Sequence, residues 1–151
     1  MAVSYASKVQ CALNTIAHRG PDGHGLYIDE HAILGHVRLS IIDLSNAGQQ
    51  PMKDHDNLYV VTYNGEIYNF SELKGDLDIP DSQYRSATDT EVLLMCFKKY
   101  GIEAFKRFNG MFAFSLLDKI NAKAYLVRDR FGIKPLYYNR NEQELFFASE
   151  I

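Results

Sequence analysis

The sequence predicts an α+β domain of antiparallel strands with its helices gathered in two places, and three observations carry that prediction. Helical spacing of apolar residues is confined to a first segment and to a block between residues 70 and 108. The remaining apolar runs are short, β-branched or aromatic, and follow one another through short turn-rich connections, which favours antiparallel pairing. The chain of 151 residues, 46% hydrophobic and 23% charged, has the size and balance of one soluble domain able to bury a core.

Taken in order, Ser4 to Ala17 places Val9, Leu13 and Ile16 at helical spacing, with Ala6 and Ala12 nearby, and His18-Arg19-Gly20-Pro21 stops it. Strand patterns follow at Leu26-Tyr27-Ile28, Ala32 to Ile42 and Leu58 to Tyr63, while Asp43 to Met52 reads as a loop by its Ser, Asn, Gly and Pro content. A short helix is expected at Phe70 to Leu77. A better-signalled one runs from Asp89 to Tyr100, where Thr88 and Glu91 have capping-box spacing and Gly101 supplies a stop. Ile102 to Phe108 reads as a further short helix. Strands return at Met111 to Leu117, Ala124 to Arg128, Leu136 to Tyr138 and Leu145 to Ala148.

Several function classes lose support at once. A formal charge of -3 leaves no basic footprint for nucleic acid, and no apolar run approaches membrane-spanning length. Met1 to Gln10 is polar and lacks the charged start and apolar block of a signal peptide. Cys11 and Cys96 form no CxxC pair and are expected as reduced, buried, inert thiols of a cytoplasmic protein. There is no GxxxxGK[ST] loop, no GxGxxG opening a helix and no GxSxG elbow. His18, His24, His31, His36 and His55 lack metal-ligand spacing, so no metal site is expected.

What stands out is a series of polar clusters in strand and turn contexts: His18 to Gly23 (HRGPDG), His36 to Ser45 (HVRLSIIDLS), Gln50-Pro51-Met52, and Asn64 to Asn69 (NGEIYN). Thr88 to Glu91 (TDTE), Gly110 to Phe114 (GMFAF), Arg128 to Tyr138 (RDRFGIKPLYY) and Phe147 to Glu150 (FASE) complete it. In this order they resemble the class II glutamine amidotransferase domain of glutamine-hydrolysing asparagine synthetases, over nearly the whole chain. The resemblance implies the N-terminal-nucleophile hydrolase fold, a four-layer αββα sandwich of two antiparallel sheets between helix layers. It also implies hydrolysis of glutamine to glutamate and ammonia by an N-terminal cysteine whose own α-amino group serves as base.

The resemblance assigns Asn64 and Gly65 to the oxyanion hole, through a side-chain and a backbone N–H, and glycine admits a close approach. On its own Asn-Gly reads as a two-residue hairpin turn. Arg38 would hold the α-carboxylate of glutamine through a bidentate fork, against the alternative of a strand-edge arginine reaching for water. Asp89 would take the α-ammonium group; a carboxylate in the first turn of a helix is also favoured by the macrodipole. Glu66 is similar to the family's substrate-contacting acid, and the backbone of Leu39, Ser40, Ile41 and Ile42 lies along the site in relatives. Gly110 to Phe114 is read as core strand. Arg128 to Tyr138 is read as a turn, with Arg128 and Asp129 paired to each other or to neighbours.

The family's layout places a Cys-Gly-Ile strand before the first helix, whereas Met1-Ala2-Val3-Ser4-Tyr5 runs directly toward it. The N-terminal strand and its cysteine are therefore expected to be missing, and residues 1–151 to be a glutaminase domain with little or no catalysis of its own. Neither Cys11 nor Cys96 can replace that cysteine, since each has a peptide nitrogen in place of the free amine. Relatives continue into an ATP-dependent synthetase domain whose Ser-Gly-Gly-x-Asp-Ser loop does not occur here. ATP, magnesium and aspartate thus belong to the implied parent protein, with no cofactor in this chain. The expected partners are glutamine and the covalently linked synthetase domain, with neither nucleic acid nor membrane. The final ammonia acceptor and the oligomeric state, a homodimer included, stay open, and a non-catalytic glutamine-binding module is the competing reading.

Overall fold

The computed structural model of the chain describes residues 2–39 and 45–151. Helix α1 spans Ala2–Thr15 and passes through a 3-10 turn at Ala17–Arg19 into strand β1 (Gly23–Ile28). The helix starts two residues before its expected first residue. Leu13, its buried residue, is wedged against Gly35, where a Cβ would lie 2.9 Å from the leucine Cδ2. Strand β2 (Ile33–Arg38) pairs antiparallel with β1, Gly23 opposite Arg38. It ends at Arg38 and not at Ile42, and Leu39 beyond it is exposed; the rest of that expected strand lies outside the described residues.

The stretch read as a loop holds a 3-10 turn (Asn46–Gly48) capped by the Ser45 hydroxyl, a cis Gln50–Pro51 bond and the short strand β3 (Met52–Lys53). Strand β4 (Tyr59–Ile67) runs four residues past the end of its sequence signal. It runs straight through Asn64-Gly65, so no hairpin turn forms there. It pairs along its whole length with β5 (Gly110–Asp118), which pairs on its other side with β6 (Lys123–Arg128). The hairpin of β7 (Tyr137–Arg140) and β8 (Leu145–Ala148) closes the chain.

Among the described residues the sheets are a four-stranded one, ordered β3-β4-β5-β6, and the two hairpins β1-β2 and β7-β8. The hairpins form the layer between α1 and the large sheet. Tyr27 and Leu34 of the first pack with Val60 and Leu117 of the large sheet, and Phe147 of β8 joins them. The neighbouring residue Phe146 points to the opposite face and meets Tyr5 of α1 at 6.5 Å between rings, as strand alternation requires. One layer expected as a continuous sheet is therefore two separately paired hairpins.

The far face of the large sheet carries helices α2 (Phe70–Leu77), α3 (Asp89–Tyr100) and the short α4 (Ala104–Arg107), which completes the αββα order. Their core is aromatic: Phe97, Phe105, Phe108 and Phe114 interlock with ring centroids 5.5–6.4 Å apart. Helix α3 is buried continuously from Asp89 to Phe97, because α2, α4 and the sheet enclose it on separate sides. Its capping box is half formed. The Thr88 hydroxyl accepts the Glu91 N–H at 3.3 Å. The Glu91 carboxylate does not return to Thr88 but accepts the N–H groups of Arg85 and Ser86, at 3.0 and 2.7 Å. That draws the preceding turn onto the helix. No helix among the described residues is long and apolar enough to cross a membrane.

Candidate active site

The site is built on the outer edge of β4, the edge facing away from β5. Backbone N–H groups of a strand alternate in direction, so those of Val61, Tyr63, Gly65 and Ile67 share one side. The Tyr63 N–H donates to Gln50 Oε1 at 2.6 Å and the Ile67 N–H to Asp89 Oδ2 at 2.9 Å, which fixes that side as the outer one. Gly65 lies between them. Its partner Phe112 is turned the other way as well, since the Phe112 N–H and carbonyl both bond to Asp129. The Gly65 N–H thus has no acceptor among the described residues. Beside it Asn64 Nδ2 is buried without a hydrogen-bond partner. A buried donor left unpaired costs about 1–3 kcal/mol, and the Asn64 amide carries that cost beside the Gly65 N–H.

Glycine is required at residue 65 by contact. A Cβ there would meet the Met111 carbonyl oxygen at 2.2 Å and Phe112 Cα at 2.6 Å, both backbone atoms. The close approach is what allows β4 to continue through a dipeptide that reads as a turn.

Asp89, in the first turn of α3, is 4% exposed, and its Oδ2 accepts both the Ile67 N–H and the Tyr63 hydroxyl, the latter at 2.6 Å. Burial and the Asp89 carboxylate push the Tyr63 phenol far above its ordinary range, so it stays a donor. Arg38, half-buried at the end of β2, donates from Nη1 to the Ser45 carbonyl at 2.8 Å. A Cβ on Gly48 would lie 2.7 Å from Arg38 Nη2 and 3.1 Å from Thr88 Cγ2, so the guanidinium and the cap of α3 flank one glycine. His36, two residues before Arg38 and on the same face of β2, is half-buried, with its Nδ1 atom buried and unpartnered among the described residues. Burial, with the Arg38 charge adding to it, pushes its imidazole down to about 4.

The fold therefore brings Arg38, Asn64, Gly65 and Asp89 to one end of β4, between the end of β2 and the start of α3. Glu66, next along β4, is exposed, and Leu39 is 57% exposed. Ser40, Ile41 and Ile42 lie outside the described residues. Cys96 is fully buried in α3 on the far side of the large sheet, and burial pushes its thiol up to about 11. Cys11 is exposed, against the expectation of a buried thiol, because it lies on the face of α1 turned from Leu13.

Two supporting residues escaped the sequence reading. Gln50 is signalled only as part of Gln50-Pro51-Met52, and its hold on Tyr63 spans 13 residues of sequence. Asp129 pairs with backbone and not with Arg128: its carboxylate accepts the N–H groups of Phe112, Phe131, Ile133 and Lys134 at 2.9–3.1 Å. Arg128 donates to the carbonyls of Gly132 and Lys134.

The layered sandwich is the fold of the N-terminal-nucleophile hydrolases. The same fold occurs in the glutamine phosphoribosylpyrophosphate amidotransferase of Bacillus subtilis, with a TM-score of 0.73 at 21% identity, over 91% of this chain and 37% of that one. A family model described as a glutamine amidotransferase domain matches residues 2–151, and the chain belongs to that family. It is similar to asparagine synthetase (glutamine-hydrolyzing) 1 of Bacillus subtilis, 46% identical over 89% of this chain and 21% of the relative. It is 40% identical to asparagine synthetase B (glutamine-hydrolyzing) of Escherichia coli over 99% of this chain and 27% of that one. Amidase chry2 of Gibberella zeae is 38% identical over 99% of this chain and 22% of its own length. The chain thus spans between a fifth and three tenths of these relatives.

Proposed function

We propose that this chain is the glutamine-hydrolysing domain of a larger, cytoplasmic asparagine-synthetase-type enzyme, binding glutamine at the end of β4 and releasing ammonia for a linked domain. The observation that carries this is the pair of neighbouring donors without acceptors, Asn64 Nδ2 and the Gly65 N–H. A carbonyl oxygen seated there gains two hydrogen bonds that strengthen as it becomes an oxyanion, and each such donor is worth about 10²–10³ in rate. Arg38 takes the α-carboxylate of glutamine with its planar guanidinium fork. Asp89 takes the α-ammonium with its carboxylate, and Glu66 stands along the amino-acid chain. Amidation of aspartate, with ATP and magnesium, is assigned to the linked domain and to none of these residues.

Neither cysteine of the chain serves as the nucleophile. Cys96 lies in the helical core, and Cys11 sits mid-helix on an exposed face with no free amine. Neither thiol is therefore placed to attack a glutamine bound at the end of β4. A second reading, an acceptor other than aspartate, is favoured by one observation: a protein named as an amidase is among the similar relatives.

Calorimetry with glutamine and an ammonia-release assay on this chain test the proposal. Glutamine binding weakened at least about tenfold in Arg38→Ala, as expected for a lost charge-assisted pair, supports it. Absent glutamine binding overturns it, and ammonia release that survives Cys11→Ala with Cys96→Ala overturns the assignment of the nucleophile.

A further inference from the structure

We infer that Asp129 is a positioning residue for the donors at Asn64 and Gly65, acting through the backbone of Phe112; the inference rests on the oxyanion role proposed for those donors. Strand β6 ends at Arg128, which stands opposite Ala113. The first residues of β5, Gly110 to Phe112, therefore have β4 on one side and, among the described residues, no strand on the other. They are also the residues opposite Ile67, Glu66 and Gly65, so the Gly65 N–H is aimed by a stretch of β5 that lacks half of its sheet.

Asp129 stands in for the missing strand. Its N–H donates to the Phe112 carbonyl at 2.8 Å and its Oδ2 accepts the Phe112 N–H at 3.1 Å, two bonds that fix the peptide units on both sides of the Phe112 Cα. The carboxylate is itself immobilised. It is 5% exposed and takes the N–H groups of Phe131 and Ile133 on Oδ1 and of Lys134 on Oδ2. Arg128 closes the same turn through the Gly132 and Lys134 carbonyls, at 2.6 Å each. Arg130 ties it to the segment before β5 through the carbonyls of Lys106 and Phe108, at 2.8 and 3.0 Å. The position of Phe112 passes directly to Gly65, because the two backbones touch where a side chain would otherwise separate them.

A donor aimed at a developing charge must be held to within about 0.5 Å, and an unpaired strand end frays. On one side of the β4–β5 end Asp89 holds Ile67; on the other Asp129 holds Phe112. A merely structural turn hub would serve the whole sheet alike, whereas this clamp acts at one end of one ladder.

Backbone amide hydrogen exchange, followed by NMR on this chain and on Asp129→Asn, separates the two. Phe112 faces Asp129, so by alternation Met111 and Ala113 bond to β4, and the amides of Asn64, Glu66, Met111 and Ala113 report the ladder around Gly65. Exchange there is expected to rise about tenfold or more, while Thr62 and Ser115, paired further along the same ladder, change less than about twofold. Addition of glutamine should still shift Arg38 in the variant, with the response of the Gly65 amide lost. Acceleration spread evenly over β4 and β5, or none at Asn64 and Glu66, overturns the inference. Should Asp129→Asn not fold, Arg128→Gln loosens the same turn from an exposed position; it should give a smaller rise at the same four amides, and no rise overturns the inference equally. If glutamine shifts neither Arg38 nor Gly65 in the unsubstituted chain, the proposed function fails while the exchange result stands, so the two failures are distinct.

Discussion

Gly65 faces Phe112 across the β4–β5 ladder with its Cα hydrogen pressed against backbone, a Cβ there falling 2.6 Å from Phe112 Cα and 2.2 Å from the Met111 carbonyl oxygen. Neither atom belongs to a flexible side chain, so relief requires the strands to part. Gly65→Ala is expected to lower the unfolding free energy by about 1–3 kcal/mol, the usual cost of forcing a methyl into packed structure. For a chain of this size each kcal/mol lowers Tm by roughly 2–4 °C. Urea denaturation checks the first figure and calorimetric scanning the second. An unchanged midpoint would place β5 further from residue 65 than described.

Tyr63 and Asp89 are tied by a 2.6 Å hydrogen bond, and the same carboxylate oxygen accepts the Ile67 N–H. Tyr63→Phe removes one donor and leaves Asp89 a partner, at a cost of about 1–2 kcal/mol. Asp89→Ala strands two buried donors and should cost roughly 2–4 kcal/mol. In the double variant the phenol left unpaired by the second change is gone as well, so the two effects should sum to less than their separate values. A double-mutant cycle in denaturant measures this, and strict additivity would contradict the shared bond.

How much of this was legible beforehand follows from which interactions are local. Helices α2 and α3 match their sequence signals residue for residue, because apolar spacing, the Thr88 hydroxyl and Gly101 all act within one turn of the helix. Asn64-Gly65 misled for the same reason. Locally it favours a turn, and only the approach of Met111 and Phe112, some 46 residues on in the chain, turns the glycine into a strand residue. Glu91 was legible as a capping-box acid by spacing, yet its carboxylate found the N–H groups of Arg85 and Ser86 once the preceding turn folded back. The Asp129 clamp depends on a partner 17 residues away and could not be separated from an ordinary Arg128–Asp129 pair. The motif order carried the family; the geometry of its supports came only with the fold.

Asp129 also gives the protein an acid limit. Burial alone would push its carboxyl upward, but the N–H groups of Lys134, Ile133, Phe112 and Phe131 outweigh that and hold it at about 2. The unfolded chain titrates near 3.9, so the folded state is favoured whenever the carboxylate is ionised. That stabilisation is fully present above about pH 4 and is lost as pH falls from there toward 2. Glu91 acts in the same direction: burial opposes it, yet Arg85, Ser86 and His55 hold its carboxyl below the ordinary range. Stability measured by urea titration should therefore fall across this window, and Asp129→Asn should flatten the fall. An equally steep decline in the variant would assign the acid sensitivity to other carboxylates.

The two cysteines make opposite predictions that bear on the nucleophile. Cys11 is exposed on α1, whereas Cys96 is fully buried, with its thiol pushed up to about 11. Only a thiolate attacks an alkylating reagent, and at neutral pH a thiol of that kind is ionised to roughly one part in 10⁴. Under native conditions the chain should therefore take up one label, at Cys11, with the second added only on unfolding; mass spectrometry of labelled peptides assigns the sites. Because Cys11 lies on the exposed face of α1, turned from Leu13, the labelled chain should bind glutamine as the unlabelled one does. Labelling of Cys96 in the folded protein would mean that α3 opens far more readily than its enclosure by α2, α4 and the sheet allows. Loss of glutamine binding on labelling Cys11 would instead bring that residue to the pocket, and the separation of both cysteines from the donors at Asn64 and Gly65 would fall with it.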